Sequence, residues 1–146
     1  MRYTVNLLFF TSAASLLFLA ASSGNAQIVG QVDADIHHGF TIVNTTLPPG
    51  RYVFRWSPGS NQDRTMLVTS GDGNKSVEFL VRQSTDSLTP THSDLIFNRY
   101  GDKEFLTRIY ERGDKSGVAV AEPSRAEERL KKEGETAVEH TEEQSQ

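Results

Sequence analysis

The chain holds 146 residues with a mass of 16.2 kDa, a length that fits one domain. Hydrophobic residues make up 36% and charged residues 23%, enough for a packed core and too polar for a membrane-embedded chain. Cysteine is absent, which excludes disulfide scaffolds, thiolate metal centres and Cys nucleophiles, and the net charge of −4 argues against a general grip on nucleic acid.

The chain opens on a targeting pattern. Arg2 precedes an apolar stretch from Leu7 to Ala21, and Gly24 and Ala26 stand as small residues before a cut at Gln27. This predicts a signal helix over residues 1–26 that is removed on export. The stretch falls short of the ~20 apolar residues a spanning helix needs, and it is interrupted by Thr11, Ser12 and Ser15. A mature chain in the periplasm or outside the cell follows, with no stable membrane span. Cleavage removes one charge, Arg2. With no cysteine, the exported chain must hold together by core burial alone.

Residues 27–121 read as the folded domain. Apolar residues alternate over Ile28–Ile36, and Phe40–Leu47 forms a second run ended by Pro48-Pro49-Gly50. Tyr52, Phe54 and Trp56 share one face of Arg51–Trp56, with Arg51, Val53 and Arg55 on the other. Thr65–Ser70 and Ser76–Arg82 flank the hairpin signal Gly71-Asp72-Gly73-Asn74. Asp94–Asn98, Glu104–Glu111 and Gly117–Ala121 complete about eight short strands, joined by Tyr100–Lys103 and Arg112–Lys115 turns. Strands this short, with turn signals every ~8–12 residues, predict an all-β fold, an antiparallel β-sandwich or barrel.

Residues 122–146 change character: eight glutamates stand against four basic residues, and aromatics vanish. Ser124 followed by Glu127 predicts a short charged helix running towards Gly134. Residues 135–146 have too little apolar content to predict any structure. The sequence therefore assigns this acidic helical and disordered tail little weight in stability.

Three stretches carry a resemblance: Phe40–Tyr52 with its Asn44-Thr45-Thr46-Leu47-Pro48-Pro49-Gly50 turn, Leu95–Leu106 with Arg99-Tyr100-Gly101-Asp102, and Ser124-Arg125-Ala126-Glu127. Together they resemble a group of small secreted β-proteins common in soil Acidobacteria. The resemblance implies a secreted β-rich domain and no particular activity. The chain departs from that group at Asn98, where a His is frequent, and at His37-His38, where an apolar or Pro-Phe pair is expected.

Candidate chemistry is sparse. Trp56, Tyr100 and Tyr110 are the candidates for an aromatic binding platform, with Arg55 and Arg99 beside it for anionic groups. His37 and His92 are weak metal candidates, and no metal or cofactor is called for. Adjacent His37 and His38 point to opposite faces of an extended chain, so they do not share an ion. His92-Ser93-Asp94 has the wrong geometry for a catalytic relay. Neither a G-x-S-x-G nor an H-E-x-x-H pattern is present. The leading expectation is a secreted, non-catalytic binding or structural module whose partner is an envelope protein or glycan. The alternatives are a small hydrolase of carbohydrate or peptide, and a subunit of a surface assembly built by edge-strand pairing.

Overall fold

A computed structural model describes residues 30–59, 64–85 and 89–144; the expected signal helix lies outside the described residues. Ten strands form one mostly antiparallel open sheet, accompanied by one short helix. The strands are β1 (Gln31–Ile36), β2 (Phe40–Ile42), β3 (Thr45–Leu47), β4 (Gly50–Trp56), β5 (Thr65–Ser70), β6 (Ser76–Thr85), β7 (Ser93–Tyr100), β8 (Lys103–Tyr110), β9 (Ser116–Val120) and β10 (Val138–Gln144). The helix, α1, spans Arg125–Lys132. The order runs β1-β4-β5-β6-β9-β8, after which β8 pairs with both β2 and β7. β3 extends from β2, and β10 from β7.

Period-two burial drives most of these strands. In β1, Val32, Ala34 and Ile36 are buried while Gln31, Asp33 and Asp35 face out. β4 pairs with β1 antiparallel, placing Tyr52 opposite Ala34 and Phe54 opposite Val32. Residues from every strand of β1 to β9 then meet in one apolar cluster, including Phe40, Phe54, Met66, Phe79, Phe97, Ile109 and Val118. The sheet curls around this core.

Two expectations are corrected. The run Phe40–Leu47 is not one strand: it reverses at Val43-Asn44 into the β2–β3 hairpin. Val43 takes a φ of 55°, a conformation that β-branched residues rarely adopt, so no glycine announces the turn. Asn44 Oδ1 accepts a hydrogen bond from the Arg125 N–H at 3.2 Å, tying the turn to the start of α1. β2 then lies parallel to β8, with Phe40 beside Glu104 and Thr41 beside Phe105.

The second correction concerns the tail, whose described residues to Gln144 form a helix and a strand of the fold. Ser124 caps α1 by accepting the Glu127 N–H at 2.9 Å, as the sequence suggests. Leu130 packs with Tyr100 and Phe105, joined by Ala126 and Ala137. The chain leaves the helix through Gly134, at a φ of 86°, and returns as β10, antiparallel to β7. The inward positions of β10 are His140, Glu142 and Gln144, opposite Phe97, Leu95 and Ser93. An inward face without apolar side chains is why the strand escapes a hydropathy reading.

The β5–β6 hairpin shows how a turn is held by its own acid. Asp72 accepts from Ser70 Oγ, from the Asn74 N–H at 3.0 Å and from Asn74 Nδ2 at 2.8 Å. These bonds, that from Ser70 foremost, hold its carboxyl at about 2, against an ordinary 3.8. Because the folded value is the lower one, the contribution is present above about pH 4 and is lost as pH falls towards 2. Urea unfolding at pH 5 and pH 2 should show a smaller acid-induced loss of stability in Asp72→Asn than in the parent chain.

Candidate functional site

The polar face of β10 meets β1 along a seam. The Asp35 N–H donates to Gln144 Oε1 at 2.7 Å, and the His37 N–H donates to Glu142 Oε1 at 3.1 Å. Side chains of one edge strand thus satisfy backbone donors of the other, where a hydrogen-bonded ladder would otherwise close the sheet.

At the inner end of this seam lies a cluster of ionisable groups. Glu104 is 5% exposed, on the core-facing side of β8 with Leu106. Arg99 stands opposite it in the β7–β8 register, and the two form a short ion pair through Arg99 Nε and Glu104 Oε1. His140 Nδ1 lies 3.1 Å from the same oxygen and 2.7 Å from Arg99 Nη2. His38, from the β1–β2 connection, brings Nε2 to 3.9 Å from Glu104 Oε2 and Nδ1 to 3.7 Å from Glu142 Oε1. Its ring packs edge-on against Phe97, with centroids 5.0 Å apart, and 5.1 Å from the ring of His140. The ligand-capable atoms of His38, Glu104 and His140 all lie within 4.8 Å of one another. His38 Nε2, Glu104 Oε2 and Glu142 Oε2 are buried without a hydrogen-bond partner.

The candidates read from sequence do not converge. Tyr100 is buried under α1, and its hydroxyl faces Glu127 Oε1 at 3.5 Å. Burial, and then the Glu127 carboxylate, push its pKa up. Tyr110 is buried, with its hydroxyl 2.9 Å from Ser84 Oγ. Trp56 is half-buried against the core, and Arg55 is exposed on the opposite face of β4. The aromatic residues therefore share no exposed platform. Arg99 does belong to a site, as the partner of Glu104.

The histidines separate as an extended chain dictates. His37 turns outward, its side chain 78% exposed, and meets Glu142; His38 turns inward. His92 sits 3.5 Å from Glu143 and beside Thr91, away from the cluster. Neither weak metal candidate is one of the three converging residues. Sequence reasoning missed the cluster because its members come from three distant segments, one of them a strand with no hydropathy signal. The polar period of His140, Glu142 and Gln144 was the available clue.

A second polar network supports α1. Glu127 is buried and accepts from Asn98 Nδ2 at 2.7 Å while pairing with Lys131 at 3.0 Å. The bond to Glu127 raises the Lys131 pKa. Each of these groups is paired, so the network reads as a helix clamp.

No family model matches the chain, and no curated protein or solved structure matches it. The functional reading therefore rests on its own side chains.

Proposed function

We propose that the chain is an exported, non-catalytic binding module of the envelope or extracellular space, built as a curled, barrel-like sheet. The observation that carries this reading is the seam. Unpartnered buried polar atoms cost about 1–3 kcal/mol each, and along this seam His38 Nε2 and two carboxylate oxygens, Glu104 Oε2 and Glu142 Oε2, stand without a partner. Such a cost is retained where a ligand offsets it. The leader-like residues 1–26 support export.

Two features weigh against the alternatives. A hydrolase would gather perturbed titratable groups in a cleft. Tyr52 of the core and Asp72 of the β5–β6 hairpin, both with shifted pKa, lie apart from Tyr100 and Lys131 beneath α1, so these groups do not gather in one cleft. Assembly by edge pairing needs long, uncharged edges. Here β3 has three residues, and β1 carries outward Asp33 and Asp35, with the Asp35 N–H already taken by Gln144 of β10. An envelope protein or glycan remains the partner class proposed for the outer surface.

Expression of the full chain in a Gram-negative host tests this. The account expects a product recovered outside the cytoplasm, beginning at Gln27 by mass, with no turnover of chromogenic glycosides or esters. Retention of residues 1–26, or turnover abolished by Glu104→Gln, contradicts it.

A further inference from the structure

We propose that His38, Glu104 and His140 form a binding site for a divalent metal ion of the zinc class. We infer further that the ion displaces the Arg99 guanidinium and fastens the C-terminal strand to the sheet. This names the ligand at the seam, so it rests on the binding reading above.

The donor set fits such an ion. Two imidazoles and one carboxylate suit zinc and its neighbours, whereas calcium and magnesium require oxygen ligands throughout. Donor atoms on one tetrahedral zinc stand roughly 3.4 Å apart, given metal–ligand bonds of about 2.1 Å. The separations here bracket that value: 3.1 Å from Glu104 Oε1 to His140 Nδ1, and 3.9 Å from Glu104 Oε2 to His38 Nε2. The three ligand atoms lie within 4.8 Å of one another, so they must draw together to hold an ion.

The unpartnered atoms give the same answer. His38 Nε2 faces Glu104 Oε2 at 3.9 Å, and both atoms are buried without a hydrogen bond. A divalent ion between them would satisfy both. At His140, Nδ1 accepts from Arg99 Nη2 at 2.7 Å and lies 3.1 Å from Glu104 Oε1, so its lone pair becomes available to an ion once Arg99 turns away.

Arg99 is thus the resident cation of the cluster. It satisfies Glu104 Oε1 and His140, while Glu104 Oε2 and His38 Nε2 stay without a hydrogen bond. Its side chain is 42% exposed and free to turn towards solvent when a divalent ion takes its place. Because His140 lies on β10 and Glu104 on β8, the ion would link the last strand to the middle of the sheet.

Zinc titration of the untagged chain by calorimetry tests the proposal. The expected result is one zinc per chain, with no competition from equal concentrations of magnesium or calcium. Glu104→Gln, nearly isosteric, weakens binding about tenfold or more, as does His140→Ala. Arg99→Gln tightens binding about tenfold, because it removes a competing charge. A purely structural ion cluster would not show that gain. Zinc also slows carboxypeptidase digestion of the parent tail and not that of Glu104→Gln. Circular dichroism confirms that each variant is folded; if His140→Ala unfolds, Glu104→Gln decides.

Absence of stoichiometric binding overturns the proposal. So does binding that Glu104→Gln leaves unchanged, which would place the ion on exposed His37 or His92. Weaker binding in Arg99→Gln overturns the exchange. A chain that is exported and inert but takes no zinc defeats this inference alone and leaves the binding-module reading standing.

Discussion

Truncation after Ala121 should lower the melting temperature of the folded domain by about 15 °C, or prevent folding outright. The removed segment is more than a charged appendage. It contains Leu130, 8% exposed and packed against Tyr100 and Phe105, and β10, which pairs with β7 along its whole length. Loss of the leucine alone costs roughly 2 kcal/mol. Losing the β7–β10 ladder and the seam bonds, and leaving Tyr100 and Phe105 wet, roughly doubles that, and ~4 kcal/mol in a domain of this size corresponds to the stated shift. Differential scanning calorimetry of the truncated chain checks it. A shift of two or three degrees would mean that the helix and last strand are passive. Leu130→Ala separates the parts and should cost about 2 kcal/mol by urea unfolding.

Gly117→Ala should destabilise the domain by about 3 kcal/mol, at the upper end of the usual cost of overpacking. A methyl group built on Gly117 would stand 2.4 Å from the Ile109 carbonyl oxygen and 2.5 Å from Tyr110 Cδ1. The first contact is backbone within a paired strand, so it yields only if the β8–β9 ladder parts. The second is the ring of Tyr110, which lies opposite Gly117 and is held by its hydroxyl against Ser84. Glycine is required here for close approach rather than for a turn. An equilibrium denaturation midpoint unchanged in Gly117→Ala would show that this packing is wrong.

Much of the sheet is legible in the sequence because water selects one face of each strand. Val32, Ala34 and Ile36 in β1 alternate with polar residues, and Tyr52 and Phe54 in β4 alternate with the less buried Arg51, Val53 and Arg55, as burial demands. The Asp72-Gly73 hairpin is announced by turn chemistry, with Gly73 at a φ of 74°. The exceptions share a cause: each is stabilised by partners far away in the chain. Val43 is held in an unfavourable conformation by a turn that the helix braces through Asn44. β10 buries polar groups against other polar groups, a pattern that local composition cannot distinguish from a solvated tail. Expecting eight strands therefore falls short of the ten among the described residues, by one split run and one polar strand.

The candidate site was less legible than the fold. The inward turn of His38 and the outward turn of His37 follow from an extended backbone. The partners of His38 do not, because only the β2–β8 and β7–β10 registers bring Glu104 and His140 to it. The aromatic residues singled out in the sequence were drawn into the core instead. Tyr100 covers the underside of α1, and Tyr110 fills the space left by Gly117.

Hydrogen exchange of the chain, resolved to single amides over Val138–Gln144, tests the central claim most directly. A last strand that completes the sheet and carries His140 into the seam should show β10 amides bonded to β7 protected to the same degree as those of β7. Exchange of these amides at the rate of an unstructured peptide, with β7 still protected, would contradict it and dismantle the seam with it.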